Sequence, residues 1–126
     1  MKALSVRQPW AWATIHAGKD IENRSWNTYL RETIAIHASG NLDRDAQFPE
    51  GIAQPAMDNL YRAAIIGLVD IVDVVRESSS QWFIGPFGFV LKNPRPLPKP
   101  LSCKGALGFW DVPLGTEKEI KLQLSD

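Results

Sequence analysis

Along the chain, apolar residues recur with a period of two in several short blocks and with a helical period in one. "KALSV" opens as a short strand, and Pro9 then begins a helix, because its fixed backbone angle and missing donor suit a first helical turn. Gly18 ends it. In the helical stretch "PWAWATIHA", Ala11, Trp12 and Ile15 fall on one side and Trp10, Ala13 and Ala17 roughly opposite. The two tryptophans therefore cannot share one core: one packs inward, and the other sits under a neighbouring element or lines a cleft.

"DIENRSW" predicts a strand with Ile21 inward and Asp20, Glu22, Arg24 and Trp26 on the alternate face. "ETIAIHAS" is the clearest strand, with Ile34, Ile36 and Ala38 on one face and Thr33, Ala35, His37 and Ser39 on the other. Residues 40–62 mix turn formers with short amphipathic pieces and predict loops around one or two short helices. "AAIIGLVDIVDVV", Ala63 to Val75, is rich in branched residues and apolar on both faces, which predicts a long central strand. Beyond a turn-like "FIGPFGF", the stretch "FGFVLKN" predicts another strand. The alternating prolines of "PRPLPKP" then hold the chain extended and stop further pairing. "GALGFWDV" predicts the closing strand or turn, and "TEKEIKLQLSD", with Ile120, Leu122 and Leu124, an edge strand or a loose tail. Strands outnumber helices without regular alternation. The fold class that follows is α+β, a small barrel or curved sheet of mixed strands with flanking short helices, in a single domain covering residues 1–126.

Composition narrows the function. Hydrophobic residues are 44% and charged residues 22%, ordinary globular values, and no apolar run reaches the roughly 20 residues of a membrane helix. "MKALSVRQPW" lacks the apolar core of a secretory signal, so a cytoplasmic location is the expectation. The single cysteine, Cys103, has no CxxC or histidine cluster beside it and reads as a small hydrophobe; no metal and no cofactor is expected. Fourteen basic residues balance fourteen acidic ones, which argues against coating nucleic acid by bulk charge. The charges are unevenly spread, however. Residues 1–38 carry five bases against three acids, 39–80 three against seven, and 81–126 six against four, so an anion-binding surface would come from the two ends.

Candidate chemistry collects in "GKDIENRSW". Lys19 follows a helix C-terminus, where a cation is welcome; aimed into a cleft, it would grip a phosphate or act as a base or nucleophile. Glu22 and Arg24, two apart on a strand, share a face and can pair. An exposed pair contributes only about 0–1 kcal/mol, so stability is a weak reason to build one. With Lys19 it would instead form a net positive pocket in which the carboxylate orients a water or a base amine. Trp10, Trp26, Trp82 and Phe83 are candidate stacking platforms, with Trp12 and Trp110 expected in the core. Arg7 and Gln8, at the mouth of the first helix, are candidates for phosphate contact through free amides there. His37 reads as a hydrogen-bonded histidine rather than part of a hydrolytic set with Ser39. Asp70 and Asp73 fall on opposite faces, which disfavours a paired-carboxylate site.

The stretch "LSVRQPWAWATIHAGKDIENRSW" resembles the opening of the ASCH domain family, named for homology to activating signal cointegrator. "IAIHAS", "IIGLVDIVDVV", "FGFVLKNPRPL" and "KGALGFWDV" resemble its later segments in order. The family's K-x-x-E-x-R signature is met by Lys19, Glu22 and Arg24, while the glycine usual two positions before the lysine is Ala17, with Gly18 next. The resemblance implies a PUA-like barrel and a cleft beside the signature. It also implies nucleic-acid binding, with single-stranded RNA or a modified nucleotide as partner. Some bacterial relatives hydrolyse an acetylated cytidine or cleave RNA, so the alternative is a small hydrolase with Lys19 and Glu22 as catalytic residues; a coactivator-like protein-interaction module is a third reading. The deacetylating relatives carry threonine where this chain has Glu22, so their chemistry does not transfer intact.

Overall fold

The computed structural model describes residues 1–125. Six strands, β1 (Lys2–Gln8), β2 (Ile21–Arg24), β3 (Thr33–Leu42), β4 (Ala64–Val75), β5 (Phe87–Ser102) and β6 (Phe109–Asp111), form one mixed sheet in the order β2-β5-β4-β3-β1-β6. Helix α1 (Trp10–His16) lies between β1 and β2, and α2 (Leu114–Leu124) ends the chain. The Ala63–Val75 stretch is central as expected, since β4 pairs antiparallel with both β3 and β5. β1 runs parallel to β3, and that pairing requires the long crossover containing α1 and β2.

Both faces of the sheet are buried, and alternation sorts the residues. Ile34, Ile36 and Ala38 join Leu4, Val6 and Phe89 in one cluster, while Ala35 joins Ile65, Leu68 and Val112 in a second, closed by Ile120 of α2. Helix α1 crosses β4 at Gly67, where an added Cβ would lie 2.7 Å from both Ile15 Cδ1 and the Arg95 carbonyl oxygen. A larger residue at that crossing would have to push aside the Arg95 backbone or the Ile15 side chain.

Three expectations need correction. The sheet does not close into a barrel: β2 and β6 are its two edges and do not pair with each other. They approach nevertheless, because Arg24 of β2 donates to the Ser5 carbonyl of β1 and Trp26 packs edge-on against Phe109 of β6. The prolines do not stop pairing, for β5 stays in register with β4 at Pro96–Gly67 and Leu101–Ile65. Pro94, Pro96, Pro98 and Pro100, at alternate positions, withhold donors along one edge only, and a register shift between Ile65 and Gly67 absorbs the mismatch. The C-terminal segment is a helix rather than a strand or tail: residues 120 and 124 satisfy an i, i+4 helical stripe as well as a period of two, and burial of Ile120 against the sheet decides between them. Its last residue, Asp126, lies outside the described residues. Residues 40–62 are, as expected, mostly loop around one short helix: β3 continues to Leu42 and a 3₁₀ helix occupies Met57–Asn59.

Candidate nucleic-acid interface

The slit between the two approaching edges opens into a cleft of about 500 Å³. Lys19, Glu22 and Arg24 lie on it, as do Trp10, Trp26 and Trp82. All three tryptophan candidates for stacking therefore border one cavity. Trp10 comes from the first turn of α1, Trp26 from the chain just after β2, and Trp82 from the loop before β5. Trp10 and Trp82 meet edge-on at 6.5 Å, bridged by Phe48, whose ring centroid is 5.5 Å from Trp10 and 5.4 Å from Trp82. Trp26 is braced from behind by Phe89 and Phe109. Each indole is thus fixed by other rings, and little conformational entropy remains to be lost on stacking. Trp12 and Trp110, expected in the core, are only half-buried: Trp12 stacks on Phe48, and Trp110 caps His37.

The charged residues form a chain. Lys19 Nζ donates to the Ile21 carbonyl and, over 2.9 Å, to Glu22 Oε1. Arg24 Nε donates to Glu22 Oε2 at 3.0 Å, and its Nη2 reaches the Ser5 carbonyl at 3.0 Å. Local geometry explains the first link. Lys19 N–H bonds back to the Ala13 carbonyl, Gly18 takes φ +72°, and the lysine side chain therefore folds over the start of β2 rather than out to water. Lys19 and Glu22 are 5% and 7% exposed, so this is a buried ion pair and not a solvated one. Burial alone would raise the Glu22 pKa; the charges and hydrogen bonds of Lys19 and Arg24 outweigh it and hold the carboxyl below its ordinary value. Glu22 is accordingly an ionised acceptor, able to take a hydrogen bond from an amino group. Two cations around one anion leave a net positive floor, and Lys19 Nζ also stands 6.0 Å from the Trp10 ring centroid.

Arg7 reaches the rim, where it is exposed and its Nη2 lies 4.0 Å from Asp43. Gln8 does not join the site. It is buried, donates to the Tyr61 carbonyl and accepts from the Trp12 amide, so it spends both ends on structure and removes one of the helix amides proposed for a phosphate. It lines a separate cavity of about 240 Å³. Phe83 packs under Gly85 and Gly88 rather than on the cleft.

Sequence reasoning missed Asn23 and Asp43. The Asn23 side chain donates to the Trp82 carbonyl and accepts from the amides of Ile84 and Gly85, so it hangs the Trp82 loop on β2. Asp43 accepts from Trp10 Nε1 at 2.8 Å and orients that ring. The only available signal for Asn23 was its place inside the signature run; for Asp43 there was none, because 33 residues of chain separate it from its partner. His37 behaves as read, between Ser5 Oγ (3.0 Å) and the Cys103 carbonyl (2.7 Å), with its pKa lowered by burial against the opposing pull of that carbonyl. Ser39 bonds to Asn41 instead. Asp70 is held by Thr33, Arg95 and Asn93, while Asp73 caps the Val74 amide. Among the described residues no group of three or more His, Cys, Asp and Glu side chains could hold a metal ion, and no helix is long and apolar enough to cross a membrane.

Comparison with known proteins bears on the fold and the family. The chain is 26% identical over 134 aligned positions to human activating signal cointegrator 1 and 25% identical to the mouse protein; in each case 86% of this chain is covered but only 22% of the relative, so the chain spans about a fifth of their length. A crystal structure of ASCH from Zymomonas mobilis superposes with a TM-score of 0.59 at 14% identity, covering 99% of this chain and 95% of that one, which establishes a common fold. The ASCH domain model matches residues 4–93, a span that contains every charged member of the cleft floor, and the chain belongs to the ASCH domain family.

Proposed function

We propose that this domain binds single-stranded RNA, or a modified nucleotide, by holding one nucleotide unit in the tryptophan-walled cleft. The supporting observation is the combination of a buried Lys19–Glu22–Arg24 chain with three ring-braced indoles around one cavity. A volume of about 500 Å³ lies within the roughly 300–1,000 Å³ of ordinary ligand sites and suits one nucleotide better than a continuous strand. Arg24 and Arg7 offer guanidinium groups to phosphate, and an indole face takes a base at about 1–3 kcal/mol. Zero net charge leaves little sequence-independent attraction, so affinity must come from this cleft. Glu22, ionised and flanked by cations, acts here as an acceptor for a base amine. Family membership points the same way, since ASCH domains have been linked to nucleic-acid binding.

The test is fluorescence anisotropy with labelled RNA pentamers at low and moderate salt, alongside intrinsic tryptophan fluorescence. Saturable binding that weakens with salt, quenches tryptophan and falls several-fold in Trp26→Ala supports the reading. No binding at low salt, or binding indifferent to Trp26→Ala and Arg24→Ala, removes it. Release of product from acetylated cytidine or from RNA, abolished in Lys19→Ala, would replace it with the hydrolase reading.

A further inference from the structure

The residues on the cleft are consecutive where strands supply them. Glu22, Asn23, Arg24 and Ser25 line it from one side and Ser5, Val6 and Arg7 from the other. Side chains on a strand alternate between faces, so a cavity that meets every residue of a run is meeting the strand's edge. Both edges are open here. β2 is the terminal strand of the sheet, and β6 pairs with β1 only at Lys2, Ala3 and Leu4, which leaves Ser5 onward uncovered on that side.

The register identifies which backbone groups face outward. The Leu91 amide donates to the Asp20 carbonyl, so in this unbroken antiparallel pair Asp20, Glu22 and Arg24 direct their backbone groups at β5. Ile21 and Asn23 direct theirs away, and the Ile21 carbonyl accordingly receives Lys19 Nζ. The next outward residue is Asn23. Its side chain is committed to the Trp82 loop, whereas its backbone N–H and C=O have no protein partner among the described residues. On the opposite wall the outward Ser5 carbonyl is taken by Arg24.

Resting on the reading above, we infer that the open edge of β2 reads the bound base: the Asn23 backbone N–H and C=O pair with the Watson–Crick edge of the stacked nucleotide. The main-chain donor and acceptor of one extended residue lie side by side, as do N3–H and O4 of uracil or N1–H and O6 of guanine. The base is thereby held as an added strand would be, by two hydrogen bonds in one plane. The ligand class that follows is an unpaired base with its Watson–Crick edge free. A base methylated on that edge, or already paired, presents no such donor and is excluded, whereas methylation elsewhere on the ring is tolerated.

The experiment uses RNA pentamers whose central nucleotide is uridine, N3-methyluridine, 5-methyluridine, guanosine, N1-methylguanosine or abasic, with affinities measured by anisotropy. For at least one of the two bases, edge methylation is expected to weaken binding roughly ten-fold through loss of two hydrogen bonds, while 5-methyluridine tracks uridine. In parallel, amide exchange by NMR should show the Asn23 N–H unprotected in the free protein and slowed by the pentamer. The Glu22 and Arg24 amides, already directed at β5, serve as internal controls. Equal affinity for edge-methylated and unmodified pentamers, an abasic pentamer that binds as well as both, or an Asn23 amide unaffected by bound RNA overturns the inference while leaving the RNA reading in place. Absence of binding by every pentamer overturns both.

Discussion

Two carboxylates in this molecule are surrounded alike and situated differently. Glu22 is gripped by Lys19 and Arg24; Asp70 is gripped by Arg95, Thr33 and Asn93. Both have pKa values below the ordinary range. For Glu22 burial works against the shift and the two cations overcome it, whereas for Asp70 the Thr33 hydroxyl leads, opposed by desolvation and helped by Arg95 and Asn93. The contrast is burial. Side-chain exposure is 4% and 9% for Lys19 and Glu22, against 33% and 29% for Arg95 and Asp70. A half-exposed cluster on β4 and β5 can exchange its partners for water at small cost, while a buried one cannot. The buried cluster lines the cleft of about 500 Å³. Charge held desolvated at the floor of an aromatic cleft would act on any group placed there without a screening water layer.

The largest expected effect comes from breaking the buried cluster on one side. Glu22→Ala strands Lys19 without its counter-charge and should cost about 3–5 kcal/mol in denaturant-unfolding stability. The double variant Lys19→Met with Glu22→Leu should lose less, since the two most buried charges leave together and Arg24, which is more exposed, keeps the Ser5 carbonyl. A double variant as unstable as Glu22→Ala would show that packing, not charge, dominates there.

Next in size is Asn23→Ala, which releases three hydrogen bonds to the 82–85 loop and should cost roughly 1–3 kcal/mol. It should also red-shift tryptophan emission as Trp82 becomes wetter. Unchanged emission would place the anchor of that loop elsewhere.

The pH dependence separates the clusters further. Because the Glu22 pKa is lower in the folded chain than in the unfolded one, its contribution is complete above the ordinary carboxylate value of 4.5 and drains away as pH falls through the folded value. Urea melts from pH 7 down to pH 3 should show a steep acid loss that is flattened in Glu22→Gln. Asp70→Asn should flatten it less, because its partners are more exposed. The smallest effect is Asp70→Asn at pH 7, at about 0–1 kcal/mol, with RNA binding unaltered. A loss as large as that of Glu22→Ala would erase the distinction between the two sites.

The candidate site was legible where chemistry and local geometry coincide. Lys19, Glu22 and Arg24 sit within six residues, and a period of two puts the last two on one face, so their meeting needed no long-range information. Trp10, Trp26 and Trp82 were legible as candidates by residue type, but not as a set, since α1, the chain after β2 and the loop before β5 are brought together only by tertiary contact. Gln8 shows the reverse error. A polar residue at a helix mouth reads as ligand-binding until Tyr61, 53 residues away, is found to occupy it. The unclosed sheet was also out of reach, because the same strands with slightly different edge pairing would make a barrel.

By itself the sequence determined the strands whose apolar alternation admits one burial pattern, the central place of Ala63–Val75, and the proximity of Lys19, Glu22 and Arg24, all set by backbone periodicity over a few residues. Tertiary structure decided whether the C-terminal apolar residues lie on a helix or a strand, which tryptophans line the cleft, and which strand edges stay open. Those outcomes depend on packing partners distant in the chain, and the balance of burial that selects among them is a property of the whole fold rather than of any short segment.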